Sequence, residues 1–220
     1  MGKFILNIRS RLLSLGVAFL IVMGTLMIVF NPLHIKSLPQ KDVSHQSLLD
    51  IIARGESKGN YNAYYGNAGN NTVEFTNMTI NEVLAWQEHY VNSGSPSSAV
   101  GKYQFIRPTL TSLVNEYSLS KEARFDEELQ DRLAVALLER RGLNEYIGGK
   151  ISREQFAHSL SKEWAALPKT VGNNPSKSFY EGDGLNSANT SVDEVYKGIE
   201  KLAKDVKEGV TQGLRTPDTK

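Results

Sequence analysis

A run of nineteen uncharged residues, 12–30, is the feature that most constrains how this chain can fold. Because a helix rises about 1.5 Å per residue, the run matches the ~30 Å hydrocarbon core of a bilayer. Basic residues precede the run and Asn31-Pro32 ends it, a charge bias that favours an N-inside, C-outside orientation. The sequence therefore predicts a transmembrane helix within an N-terminal membrane anchor over residues 1–35.

Two alternatives compete with a retained anchor. A cleavable signal peptide normally has an apolar core of about 7–15 residues followed by small residues at the cleavage site, and residues 31–36 offer no such site. A buried core helix is disfavoured because no capped amphipathic pattern surrounds the run. Residues 36–46 are polar, contain Pro39, and are predicted to be a tether between membrane and domain.

Composition excludes several classes of function. With 25 basic and 24 acidic side chains, the chain lacks the positive excess that is typical of nucleic-acid binding. The absence of cysteine excludes disulfide frameworks, thiolate metal sites and cysteine nucleophiles. The four histidines show no His-Glu-x-x-His or His-x-His spacing, so we expect no metal and no organic cofactor. The oligomeric state is left open.

The remaining chain is predicted to form one mainly α domain over residues 47–210, followed by a polar tail over 211–220. Capping boxes begin helices at Thr79 and Ser152, and Pro108 occupies a first helical position. The other helices are predicted to begin near residues 47, 126 and 192 from their apolar periodicity. Alternation over residues 72–76 predicts a small β-hairpin.

Two short motifs contain candidate catalytic and substrate-binding residues. Glu56 lies at a helix-to-loop transition between Gly55 and Ser57, where a carboxyl group can face a cleft. Acidic residues at helix ends are more often simply solvated, so this position alone is weak evidence. Forty-five residues downstream of Glu56, the Gly-Lys-Tyr-Gln motif at 101–104 combines a glycine that removes side-chain bulk with Gln104, which can donate and accept hydrogen bonds.

At these motifs the chain resembles the phage lambda-type lysozymes, lytic transglycosylases of the lysozyme superfamily. The resemblance spans roughly residues 47–168. It is carried by Arg-Gly-Glu-Ser at 54–57, Val-Glu-Phe-Thr at 73–76, the motif at 101–104, the helix end at 133–142 and Trp-Ala-Ala-Leu-Pro at 164–168. With its N-terminal apolar run, the chain also resembles the membrane-associated lytic enzyme of enveloped double-stranded RNA phages, the cystoviruses.

The resemblance implies an α+β lysozyme-like fold and a single catalytic residue, Glu56, acting on the β-1,4 bond between N-acetylmuramic acid and N-acetylglucosamine. Such an acid must keep its proton near neutral pH, which burial achieves by raising its pKa. In lytic transglycosylases the muramic acid 6-hydroxyl attacks, so no second catalytic carboxylate is needed. A hydrolase adds one, and Glu74 is the best candidate, although a solvated strand residue is its more ordinary interpretation.

The resemblance also implies a groove that binds the glycan strands of peptidoglycan. Ser57 is expected to orient Glu56 or to cap the helix end, and Tyr103 to line the groove or to pack in the core. Flat aromatic rings suit the faces of sugars, although aromatic residues are more often core. The residues expected at the groove are Ser57, Gly101, Tyr103, Gln104, Glu74, Tyr61, Tyr64, Tyr65 and Phe75.

Two other functions remain open from the sequence. A murein endopeptidase would lyse cells by cutting peptide cross-bridges, and spacing alone does not exclude a Ser/His/Asp arrangement. A membrane or virion scaffold would keep the lysozyme fold without activity. For the enzyme, the anchor at 12–30 implies a catalytic domain that faces the periplasm and cell wall, or a place on a virion envelope. Its use in entry or in release is left open, and so is whether the anchor is retained or leaves the membrane to activate the enzyme.

Overall fold

The computed structural model describes residues 36–213 of the chain. The predicted anchor, with its transmembrane run at 12–30, and the end of the predicted tail lie outside the described residues. Within 36–213, no helix combines the length and apolar character needed to cross a bilayer. The α-helices of this range are α1 (Gln46–Ser57), α2 (Ile80–Asn92), α3 (Arg107–Glu116), α4 (Glu127–Arg140), α5 (Leu143–Ile147), α6 (Arg153–Ser161) and α7 (Val192–Gly213).

Most helix starts follow the local signals in the sequence. Thr79 and Ser152 each form the predicted capping box, in which side chain and backbone exchange hydrogen bonds across the first turn. The Asp126 side chain accepts a hydrogen bond from a backbone N–H in the first turn of α4. Helix α6 ends at Ser161, and the turns that follow present Ala166 to the end of α1.

The prediction of a β-hairpin over 72–76 is wrong. In the described part of the chain the β contacts are isolated bridges, and Phe75–Asn77 forms one turn of 3-10 helix. The Asn70 side chain accepts hydrogen bonds from two backbone N–H groups of this loop, and the Asn62 side chain accepts one from Thr76. These side chains satisfy the backbone groups that strand pairing would otherwise use.

Residues 36–46 differ from the free tether that their polar composition predicts. Leu38 is buried, and the Arg132 guanidinium donates hydrogen bonds to the carbonyls of Leu38 and Pro39. Lys41 Nζ lies 3.0 Å from a carboxylate oxygen of Asp131 on α4. The segment therefore packs on the helical domain, because one apolar side chain and complementary charges hold it there.

Helices α4 and α7 both contribute to the hydrophobic core. The central helix α4 buries its whole stretch from Leu133 to Leu138 in the core. The long helix α7 packs its apolar stripe against α1. At their contact, a Cβ added to Gly198 would lie 3.4 Å from a side-chain carbon of Leu48 and collide with Ile51, so glycine allows the close approach of these helices.

Candidate active site

Glu56 is the second-last residue of α1, and its carboxyl group meets the turn that follows α6. The backbone N–H of Ala166 donates a hydrogen bond of 2.9 Å to Glu56 Oε1. The preceding Gly55 makes this approach possible, since a Cβ added there would lie 2.9 Å from Ala166 Cβ. Close packing against Ala166 therefore requires glycine at position 55, and the next residue, Glu56, accepts the hydrogen bond from Ala166.

The electrostatic surroundings favour a protonated Glu56. Burial raises the pKa of this carboxyl from 4.5 to about 7, because the charged form loses its hydration. The hydrogen bond from Ala166 N–H lowers the pKa and so works in the opposite direction, but burial is the larger effect. Near neutral pH, Glu56 therefore holds a proton in a substantial fraction of molecules and can act as an acid.

Two cavities, of about 510 and 490 Å³, meet at Glu56, which lines both. Together they form a cleft with the carboxyl group at the junction. Their other shared lining residues are Tyr65, Gln104, Ala165, Leu185 and Asn186. We call the larger cavity the basic arm, because Arg140, Arg141 and Lys162 line it.

The smaller cavity is chemically different. Lined by Asn67, Asn186 and Asn189, together with Ser187 and several glycines, it is named the amide arm. Lys58 is the one charged lining residue of the amide arm besides Glu56. Such amides can both donate to and accept from sugar hydroxyls.

Glu56 and Glu163 are the two carboxylates among the residues that line the cleft. Arg141 lies 2.7 Å from Glu163 in an ion pair, and the Glu163 side chain is only 9% exposed. Among the described residues, no cluster of histidine, cysteine or carboxylate side chains is arranged to hold a metal ion. Glu56 is thus the carboxyl of the cleft that has no cationic partner there.

The motif at 101–104 forms a tight turn, and its last two residues line the cleft. Gly101 has a left-handed backbone, and a Cβ there would collide with Gln130, so both the conformation and the space require glycine. Gln104 is also left-handed, at φ 49°, and its amide donates to the Gly101 carbonyl while it lines both arms. Tyr103 reaches the floor of the basic arm but is 1% exposed, with its hydroxyl donating to Asp131.

Ser57 and Phe75 do not lie where a substrate could touch them. Both are fully buried, which corrects the expectation that they contact sugar. The Ser57 hydroxyl donates a 2.7 Å hydrogen bond to the carbonyl of Lys102. Ser57 therefore ties the end of α1 to the turn at 101–104, and so joins the two motifs that the sequence separates.

The remaining predicted residues divide between cleft and periphery. Tyr65 lines both arms, and Tyr64 lines the amide arm. Tyr61 lies outside the lining of the cleft and bonds to Asp131 and Lys102. Glu74 is exposed and bonds to the side chain of Asn77, also outside the cleft, so its position does not suit a second catalytic carboxylate.

The comparison with protein families matches residues 46–183, well over half of the chain, to endolysins. The chain belongs to the endolysin family. Endolysins are phage enzymes that degrade bacterial peptidoglycan, so the coarse prediction of a phage lytic enzyme is confirmed. Neither the curated proteins nor the solved structures contain a match to the chain.

The endolysin match ends inside a wall of the cleft that sequence reasoning missed. Tyr180, Leu185 and Asn186 line the basic arm, and the Tyr180 hydroxyl donates to the carbonyl of Lys162. The Asn189 side chain donates to the carbonyl of Gly55, beside the acid. One available signal was the exposed aromatic character of Tyr180 within a segment otherwise rich in glycine, serine and asparagine.

Proposed function

We propose that this endolysin cleaves the β-1,4 bond between N-acetylmuramic acid and N-acetylglucosamine as a lytic transglycosylase, with Glu56 as acid and then base. One observation carries the proposal: at the junction of two arms stands a carboxyl whose pKa is raised to about 7. The other carboxylate of the cleft, Glu163, is committed to Arg141.

In the first step, protonated Glu56 donates its proton to the glycosidic oxygen as the bond from that oxygen to C1 of the muramic acid breaks. The N-acetylglucosamine side leaves as an alcohol, and positive charge develops at C1. The carboxylate so formed keeps the hydrogen bond from Ala166 N–H, which favours the anion. A pKa near 7 suits a group that must give and then take a proton at neutral pH.

In the second step, the 6-hydroxyl of the same muramic acid residue attacks C1. The new O6–C1 bond forms while the hydroxyl proton passes to the Glu56 carboxylate, which restores the acid. The product is a 1,6-anhydro ring, and no water is consumed. This route requires one carboxyl group, whereas the hydrolytic routes use a second one near the sugar.

Product analysis and a matched pair of variants test the proposal. On purified peptidoglycan, the wild type should release fragments with 1,6-anhydromuramyl ends, detected by mass. Glu56→Gln should lower the rate about 10²- to 10⁴-fold, since it removes the acid and base. Glu163→Gln is the control: it changes the other cleft carboxylate in the same way and should retain most of the chemistry while losing stability, because Arg141 is left without its partner.

Other results would contradict the proposal in distinct ways. Reducing ends would indicate a hydrolase, and new free amino groups would indicate an endopeptidase. An inactive wild type would indicate a scaffold. Full activity of Glu56→Gln, with its fold verified by circular dichroism, would remove Glu56 from the mechanism.

We also propose that residues 12–30 anchor the enzyme in a membrane with the described domain on the wall-facing side, as the charge bias of the sequence favours. The resemblance to the lytic enzyme of cystoviruses supports this placement. Extraction of membranes with alkaline carbonate tests it: an anchored chain should stay with the lipid, and a variant lacking residues 1–35 should be released. Recovery of the full chain in the soluble fraction would contradict the proposal.

A further inference from the structure

The basic arm carries more positive charge than an uncharged sugar chain needs. Of its three cationic side chains, Arg141 is neutralised by Glu163 at 2.7 Å. Lys162 forms no ion pair within the described residues. Its Nζ atom lies 5.6 Å from the centre of the Phe179 ring. Lys162 therefore brings to the lining of the basic arm a positive charge that no carboxylate of the described residues pairs with.

Arg140 adds to this positive field. Its guanidinium lies 2.6 Å from Glu116, but the same carboxylate also lies 2.6 Å from Lys36 Nζ. One negative charge is thus shared between two positive ones, which leaves the group of three with a net positive charge. The cationic groups belong to different elements, since Arg140 ends α4 and Lys162 follows α6.

Peptidoglycan offers a matching negative group. Its glycan backbone is uncharged where the lactyl group of muramic acid is bound in an amide to the stem peptide, so negative charge resides on the carboxylates of that peptide. Guanidinium and ammonium groups pair with carboxylates through charge-assisted hydrogen bonds. Neutral sugar hydroxyls do not need such cations, and the amide arm carries the groups that suit them.

We propose that the basic arm binds stem-peptide carboxylates through Lys162 and Arg140, and that this contact makes charged, stem-bearing peptidoglycan the preferred substrate. This rests on the proposed cleavage of the glycan at Glu56, because the arm begins at that carboxyl. Lys162 and Arg140 are specificity residues here and take no part in bond breaking.

The test compares one substrate in two charge states. Peptidoglycan is used as isolated and after carbodiimide coupling to an excess of a neutral amine, which converts its carboxylates to uncharged amides and leaves the glycan intact. We expect the wild type to lose about fivefold in kcat/KM on the amidated substrate, the scale of a partly exposed ion pair. Added salt should reduce the rate on native peptidoglycan and leave that on the amidated substrate little changed.

Variants locate the effect. Lys162→Gln should lose part of this factor on native peptidoglycan, because Arg140 remains, and nothing on the amidated substrate, whereas Lys162→Arg should behave as the wild type. Lys150→Gln, the same charge change at an exposed position outside the cleft, is the matched control. The Lys162 side chain makes no hydrogen bond within the described residues, so the substitution should leave the fold intact.

Equal rates of the wild type on both substrates, or an equal loss for Lys162→Gln on both, would overturn the proposal. Failure of the proposed function has a different signature: products without 1,6-anhydro ends, or an active Glu56→Gln. The ratio of the rates on native and amidated peptidoglycan tests the role of the basic arm. The chemical nature of the product ends tests the cleavage reaction.

Discussion

The two arms of the cleft are nearly equal in volume, at about 510 and 490 Å³, but they differ in chemistry. The basic arm presents cations and the aromatic ring of Tyr180, whereas the amide arm presents asparagine side chains and glycine backbone. Glu56 belongs to both. The comparison separates two tasks that a polymer-cleaving site must perform, namely holding the chain on each side and placing one acid at the point between them.

The difference arises from the elements that build each arm. Cations at the C-terminal ends of α4 and α6 lie where the helix dipole favours positive charge. The amide arm is instead built from loops, where the Asn67 side chain donates to Tyr64 and the Asn189 side chain to Gly55. The positive charge of the basic arm is therefore supplied from helix ends, and the neutral hydrogen-bonding groups of the amide arm from loops.

The largest expected effect is on the group that the arms share. Only protonated Glu56 can act as the acid, so kcat/KM should fall about tenfold per pH unit above a pKa of about 7. Because one carboxyl serves both arms, native and amidated peptidoglycan should show the same alkaline limb. The measurement is the rate of glycan cleavage from pH 5 to 9. A limb centred near pH 4.5 would mean that Glu56 is not held in its buried environment during the reaction.

The same raised pKa has a consequence for stability. The folded protein holds the Glu56 proton more tightly than the unfolded chain does. The cost of ionising the group in the folded state is therefore absent below pH 4.5, grows through the interval up to about 7 and is complete above it. Glu56→Gln has no group to ionise at this position. The thermal midpoint of the variant, relative to that of the wild type, should therefore increase as the pH rises through this interval.

A smaller effect is expected in the aromatic wall of the basic arm. Tyr180→Ala removes a ring that is 38% exposed and lines the cavity, and we expect KM to rise about five- to tenfold through the loss of ring contacts with substrate. Tyr180→Phe keeps the ring and loses the hydrogen bond to the Lys162 carbonyl, so it is the control. A full loss in Tyr180→Phe would show that the hydroxyl, which holds the wall in place, matters more than the ring.

The smallest effect is expected in the amide arm. Asn67→Ala removes one neutral hydrogen-bonding side chain, and kcat/KM should fall about two- to fivefold. The fall in kcat/KM of Asn67→Ala should be the same at low and high salt and on native and amidated peptidoglycan. The fall expected for Lys162→Gln, in contrast, depends on both conditions. Asn115→Ala on the exposed face of α3 is the control. A strong salt dependence for Asn67→Ala would remove the distinction between the arms.

Local signals predicted much of the helical framework. Caps at Thr79 and Ser152 act within four residues, so their chemistry is visible in the sequence and forms as predicted. The prediction of a hairpin was wrong because it rested only on the alternation of residue types over 72–76. The side chains of Asn62 and Asn70, at the start of the same loop, take over the backbone hydrogen bonds there. A polar composition likewise misled at 36–46, where ion pairs and Leu38 bind the segment to the domain.

The sequence predicted which residues belong to the candidate site, but it did not predict which parts of the chain surround them. Glu56 and Gln104 were singled out from short motifs, and both line the cleft. Ser57 was expected beside the substrate, yet it faces the protein interior and binds the Lys102 carbonyl. Helix periodicity shows which face of a helix is polar, but it does not show which neighbouring loop will cover that face.

By itself, the sequence determined where helices begin, which carboxyl stands beside a glycine at a helix end, and how little net charge the chain carries. Only the tertiary structure decided that Ala166, 110 residues away, would donate its N–H to Glu56, and that burial would raise the pKa of this acid to about 7. It also decided which cationic residues would line the cleft. The physical reason is that caps and periodicity are short-range properties of the backbone, whereas desolvation and charge compensation depend on every element that packs around a group.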